Sequence, residues 1–201
     1  MKRALIGLGL VMVGCGSSSD SPAPDAATRV DSGTPGDSGT PGDGGSQPGV
    51  FKLTSTFADG TAIPVENSCS GVNTSPVLTW ANVPAAAQGL ALTLIDPDAG
   101  SFKHWVIYDI PPTLAGLPAH VENAYAPGNV IGAHQTKSQQ GATGYYGPCP
   151  PAQHTYHFTL YALDVATLPG ASAATTAADA ITAITAHMIA HTELVGTFQK
   201  P

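Results

Sequence analysis

Gly147-Pro148-Cys149-Pro150-Pro151-Ala152-Gln153-His154-Thr155-Tyr156 sets three prolines and a glycine directly before a run that alternates like a strand. Proline fixes φ, so the turn is stiff before any tertiary contact forms. His154 and Tyr156 stand two apart, and side chains two apart on a strand share a face. An imidazole and a phenol therefore point into one space, beside backbone that the prolines hold still. The strand runs on through residues 156–164. Tyr156, Phe158, Leu160 and Ala162 face one way; His157, Thr159, Tyr161 and Leu163 face the other.

Outward from this stretch, most elements again read as strands. Residues 51–57 alternate apolar and polar, as a half-buried strand does. Residues 77–80 form a short candidate strand. Residues 90–95 are continuously apolar, consistent with burial on both faces. Residues 104–110 follow as a strand that Pro111-Pro112 stops. Between Pro112 and Gly147 the chain is rich in Gly, Pro, Asn and Gln and reads as a long functional excursion of loops. One helix is expected. Thr176-Ala177-Ala178-Asp179 is similar to a capping box with aspartate in place of glutamate, and Ile181, Ile184, Met188 and Ile189 fall near helical spacing. This helix should end near Thr192, before a final strand at residues 195–198. Many strands with a single convincing helix and no β-α-β alternation make the fold class mostly β, with an antiparallel-rich sheet.

The chain divides into three parts. Residues 1–14 begin with Met1-Lys2-Arg3 and continue with a ten-residue apolar run, too short to span a bilayer and typical of a signal sequence. Met12-Val13-Gly14-Cys15 resembles the bacterial lipobox, which implies cleavage before Cys15 and lipidation of its sulfur. Gly16, rather than aspartate, at the second mature position favours the outer membrane, and several acyl chains anchor stably. An ordinary secretory peptide with an incidental cysteine is the competing reading. Residues 15–49 carry the lipidated cysteine and a linker repeating Asp-Ser-Gly-Thr-Pro-Gly from Asp31 and Asp37. It holds too little apolar surface to offset its ordering entropy. As a Gly-rich coil of about 34 residues it reaches roughly 30 Å. The repeat lacks the nine-residue signature of calcium-binding β-rolls. Residues 50–201 are the folded domain.

That domain carries four lysines, no arginine and nine acids, a formal charge of −5, and all seven histidines of the chain. This excludes a nucleic-acid binder, which needs basic surface. An anionic ligand would have to be held by histidine and backbone N–H groups. Cys69 and Cys149 remain after lipidation. In an oxidising compartment an even pair favours a disulfide, worth about 4 kcal/mol across a loop of this length; two buried free thiols are the alternative. No C-x-x-C spacing calls for zinc.

The ordered set Ser75-Pro-Val-Leu-Thr-Trp80, Asp96-Pro-Asp-Ala99, His104-Trp105, Gly147-Pro-Cys-Pro-Pro151, His154-Thr-Tyr156 and Glu193-Leu-Val-Gly-Thr197 resembles the phosphatidylethanolamine-binding protein family. The likeness runs from about Phe51 to Phe198 and is nearest the bacterial YbhB/YbcL type, called Raf kinase inhibitor-like. It implies a central sheet packed on a second, smaller sheet, with a helix near the C-terminus and a small anion-accepting cavity at one sheet edge. By motif match, Asp96, Asp98, His104, Gly147, Pro148, His154 and Tyr156 would line that cavity. Thr155 stands where many relatives have arginine, so one cationic contribution is missing.

These residues suit the task. Histidine and tyrosine donate to phosphate or carboxylate oxygens, and glycine lets a ligand approach backbone N–H closely. Two bare carboxylates would repel an anion. Asp96 or Asp98 is therefore expected to accept a proton from His104 or His154, fixing the tautomer and raising basicity.

The reading is a non-catalytic, envelope-located lipoprotein binding a small anion or phospholipid headgroup, with no cofactor and no metal. Two alternatives stand beside it. One is an inhibitor or interaction module for an envelope protein such as a protease, with homodimerisation open. The other is an enzyme using two Asp and two His for metal or acid–base chemistry. The sequence has no Gly-x-Ser-x-Gly elbow and no His-Glu-x-x-His. His187 and His191, four apart on the expected helix, could chelate a metal or simply lie on a solvated face. Trp80, Trp105, Phe158 and Tyr161 read as core, and His120 and His134 as loop surface. Tyr145-Tyr146 could edge the cavity or pack beneath it.

Overall fold

The computed structural model describes residues 49–201. The expected signal sequence, Cys15 and the linker up to residue 48 lie outside the described residues. Two sheets carry the fold. The smaller contains β1 (Lys52–Ser55), β3 (Leu78–Ala81) and β6 (Gly116–Leu117) in the order β1-β3-β6. The larger contains β2 (Thr61–Ala62), β4 (Gly89–Asp96), β5 (Phe102–Ile110), β7 (His134–Gln135), β8 (His154–Leu163) and β9 (Met188–Phe198), in the order β2-β9-β8-β4-β5-β7. All pairings are antiparallel except β2 with β9. Among the described residues the fold is mostly β, two sheets with one α-helix near the C-terminus.

The pleat of β4 explains the layering. Leu90, Leu92 and Leu94 face the space between the sheets, where they meet Phe158 and Leu160 of β8 and Leu53, Leu78 and Trp80 of the small sheet. Ala91 faces the opposite side, in a second cluster with Val106, Tyr108, Leu163, Ala180 and Ile184. This strand is buried on both faces because one is covered by a sheet and the other by α1 (Ala177–Ala186). Each fully buried leucine contributes about 1.5–3 kcal/mol. Trp105 and Phe158 are wholly inside and Trp80 nearly so, whereas Tyr161 is only half-buried on the outer face.

α1 starts as the capping box predicts. The Thr176 hydroxyl accepts from the Asp179 N–H and donates to the Asp179 carboxylate. It stops earlier than its apolar spacing predicts, at Ala186 rather than near Thr192. His187 is the C-cap, its N–H shared by Ala183 and Ile184 carbonyls. Its ring donates to Asp164, and its carbonyl accepts from the Asp164 N–H. From Met188 onward the chain pairs with β8 along its length, Met188 opposite Leu163 and Phe198 opposite His154. That ladder pairs the backbone along the stretch a longer helix would have occupied, and the β-branched Ile189, Thr192, Val195 and Thr197 suit it. His187 and His191 therefore do not share a helix face, and the chelating pair does not exist. His134 is also not loop surface: it lies in β7 and donates to Asp109 at 3.0 Å.

Candidate functional site

β4 runs antiparallel to both β5 and β8, so its C-terminal end adjoins the beginnings of both neighbours. Asp96 ends β4, Phe102 and His104 begin β5, and His154 and Tyr156 begin β8. Strand topology alone thus assembles the polar residues at one end of three central strands. They line a cavity of about 250 Å³, closed on the remaining side by Tyr146, Gln140 and the Cys149-Pro150-Pro151 segment.

His104 is buried, and its Nδ1 donates to the Tyr146 carbonyl at 2.7 Å. Its ring stacks on Tyr146 and meets Tyr156 edge-on, with centroids 5.3 Å apart in the second case. His154 donates from Nδ1 to Asp96 Oδ2 at 2.8 Å, and its ring centroid lies 6.5 Å from that of Tyr156. In each imidazole Nδ1 is spoken for, leaving Nε2 as the nitrogen available to the cavity. Tyr156 is fully buried; its hydroxyl lies close to the Asp96 carboxylate and the Cys149 backbone but completes a well-formed hydrogen bond with neither. A buried hydroxyl without a well-formed hydrogen bond costs free energy, so this group is poised for a ligand oxygen.

Asp96 does not face a ligand bare. Its Oδ1 caps the 3₁₀ turn Pro97–Ala99 by accepting from the Ala99 N–H, and its Oδ2 holds His154. Asp98 points elsewhere. It accepts from both the N–H and the hydroxyl of Thr155 at 2.7 Å, which holds its carboxyl below the usual range. It ties the turn to β8 outside the cavity wall. Only one of the expected histidine–carboxylate pairs forms, and His104 is oriented by a backbone carbonyl instead.

Gly147 and Pro148 are also not in the cavity wall. The Gly147 N–H donates to Asn73 Oδ1. A Cβ on Gly147 would sit 2.5 Å from the Asn67 carbonyl oxygen and 2.6 Å from Asn73 Oδ1, so glycine is required by packing, not by a ligand. The Pro148 carbonyl accepts from Cys69 N–H. Cys69 and Cys149 are joined by a disulfide. Of the two adjacent tyrosines, Tyr145 is buried beneath, donating to the Asn67 carbonyl, while Tyr146 lines the cavity. Phe102, Gln140, Pro150 and Pro151 line the cavity in addition to the residues the sequence points to. Phe102 was within reach, being two residues before His104 on the same strand face; Gln140 carries no local signal.

Burial lowers the pKa of His104 from its ordinary 6.5, against the raising effects of the Tyr146 hydrogen bond and of Asp96. The unfolded chain therefore binds a proton that the fold refuses. Stability conferred by neutral His104 is present above pH 6.5 and is lost as the pH falls through the lower folded value. Urea unfolding measured across this window should show falling stability with acid, and a His104→Gln variant should flatten that dependence. Burial, with Asp96 adding its charge, pushes the Tyr156 hydroxyl far above its ordinary value, so it remains a donor. Among the described residues no group of three or more His, Cys, Asp or Glu is placed to hold a metal ion.

Among the described residues, two stacked sheets, one α-helix near the C-terminus and a polar cavity at the ends of the central strands define the architecture. The chain belongs to the phosphatidylethanolamine-binding protein family, whose sequence pattern matches residues 53–199. Two solved structures share the fold. Escherichia coli YbcL, titled a member of the mammalian PEBP family, superposes with a TM-score of 0.69 at 29% identity, covering 75% of this chain and 99% of that one. The candidate PEBP homologue CT736 of Chlamydia trachomatis gives a TM-score of 0.66 at 36% identity, covering 75% and 98%. A Mycobacterium tuberculosis protein named as a candidate lipoprotein, LppC, is 38% identical over 98% of this chain and 94% of its own length.

Proposed function

We propose that the edge cavity binds a small oxyanion, a phosphate or a phospholipid headgroup of phosphoethanolamine type, without transforming it. The observation that carries this reading is the buried Tyr156 hydroxyl, without a well-formed hydrogen bond, between His104 and His154. A neutral imidazole whose Nδ1–H is engaged offers only an acceptor at Nε2. An oxyanion therefore either brings a proton or draws one onto Nε2, after which the ring donates. None of the described residues lining the cavity is a serine, lysine or free thiol, which favours binding over covalent chemistry.

Isothermal titration with phosphate and with phosphoethanolamine tests the reading. Tyr156→Phe keeps the fold and removes one hydroxyl donor; it should weaken binding about tenfold. No heat and no NMR shift at His104 or His154 with either ligand would refute it. The likeness to a candidate lipoprotein along nearly the whole chain supports lipidation at Cys15 and a place in the cell envelope, at the outer membrane by the identity of Gly16. Cys15→Ala should release the protein from the membrane fraction; a variant still sedimenting with membranes would count against the anchor.

A further inference from the structure

A second cavity, of about 500 Å³, lies where the N-terminus of α1 meets the segment 137–141. Its rim carries Lys103 and Lys137, two of only four lysines in residues 50–201. Every ion pair among the described residues joins a histidine to a carboxylate, so neither lysine is neutralised by one. One side is lined by small apolar side chains, buried Ala177 and the exposed Ala173, Ala174 and Ala178. The first turn of α1 borders the groove; Thr176 caps the Asp179 N–H and holds the Asp179 carboxylate, leaving the Ala177 and Ala178 N–H groups outside that cap, at a helix end that favours negative charge. A separate observation points to a ligand. Ser138 lines the cavity and is 5% exposed, yet its hydroxyl has no hydrogen-bond partner among the described residues.

The segment bearing these groups is fixed. The Gln139 N–H donates to the Lys103 carbonyl and the Lys103 N–H to the Gln139 side chain. The Ser138 N–H donates to Ala142 and the Gly141 N–H to Ser138. Lys103 and Ser138 are thereby held opposite the first turn of α1. An acidic, arginine-free domain that places half its lysines around one cavity has concentrated its positive charge there.

We propose that this groove is a second ligand site, taking an organic oxyanion. Its charged end lies between Lys103 and Lys137, within reach of Ser138 and the first-turn N–H groups. Its short apolar body rests on the alanine methyls. The groove lies beside the edge cavity and shares no lining residue with it: Lys103 lines the groove between Phe102 and His104, and Gln139 and Gly141 line it on either side of Gln140, those three neighbours facing the edge cavity.

Butyl phosphate titrated into the ¹⁵N-labelled domain 50–201 within the intact exported chain, followed by NMR, tests the site. Amides of residues 138 and 174–178 should shift saturably. Lys103→Gln with Lys137→Gln should weaken that response at least tenfold, about the loss of one charge-assisted contact. Ser138→Ala should weaken it about two- to tenfold. Tyr156→Phe should leave it intact, so failure here is distinguishable from failure at the edge cavity. Absence of shifts at these amides, an unchanged affinity in the double lysine variant, or the same shifts with butanol would each overturn the assignment.

Discussion

Replacing Cys69 and Cys149 together by serine is expected to lower the unfolding free energy by about 4 kcal/mol, read from the urea midpoint at unchanged native spectra. The bridge closes a loop of 80 residues, and its Cα atoms lie 5.3 Å apart. Most of the effect should fall on the unfolded chain, because the same two segments are joined in the fold by other bonds. Cys69 N–H donates to the Pro148 carbonyl, Gly147 N–H to Asn73, and the Tyr145 hydroxyl to the Asn67 carbonyl. These should hold the cavity wall at Cys149-Pro150-Pro151 nearly in place. The variant is therefore expected to be less stable while its remaining folded fraction binds phosphate almost as the parent does. Equal midpoints for the parent with and without reductant would mean that the bridge contributes nothing.

The parts of this fold that follow a local period are legible in the chain. His154 and Tyr156 share a face as their spacing requires, and the unbroken apolar run of β4 is buried on both sides because helix and sheet each claim one. What depends on long-range pairing is not legible. Met188 and Ile189 satisfy helical spacing as well as strand alternation, and only the presence of β8 beside them decides for the strand. Asp96 and Asp98 look equivalent in Asp-Pro-Asp. The 3₁₀ turn between them directs one carboxylate to His154 and the other to Thr155, and no spacing rule distinguishes the two. Tyr146 and Gln140 reach the cavity from an excursion whose path is set by tertiary contacts, so their positions could not be read locally.

Asp96→Ala is expected to cost about 3 kcal/mol of stability, because it removes a buried carboxylate that holds both His154 and the Ala99 N–H. That loss alone would reveal a structural residue and nothing about binding, so the informative variant is Asp96→Asn. Its amide oxygen can still accept from Ala99. Its NH₂ then faces His154 Nδ1, a clash of donors unless the imidazole moves its proton to Nε2. The resulting tautomer offers the cavity a fixed neutral donor in place of a nitrogen that must first take up a proton. Parent binding of phosphate should strengthen as the pH falls, since an oxyanion draws a proton onto His104, whose free ring burial holds neutral and whose charged form the nearby Asp96 carboxylate supports. Asp96→Asn should bind phosphate about tenfold more weakly at acidic pH, having lost the carboxylate that supports a charged ring, and its affinity should vary less with pH. Titration calorimetry in buffers of different ionisation enthalpy reads the proton uptake directly. A parent that takes up no protons, or an Asp96→Asn variant with the parent's full uptake, would show that the His154–Asp96 pair only braces the turn.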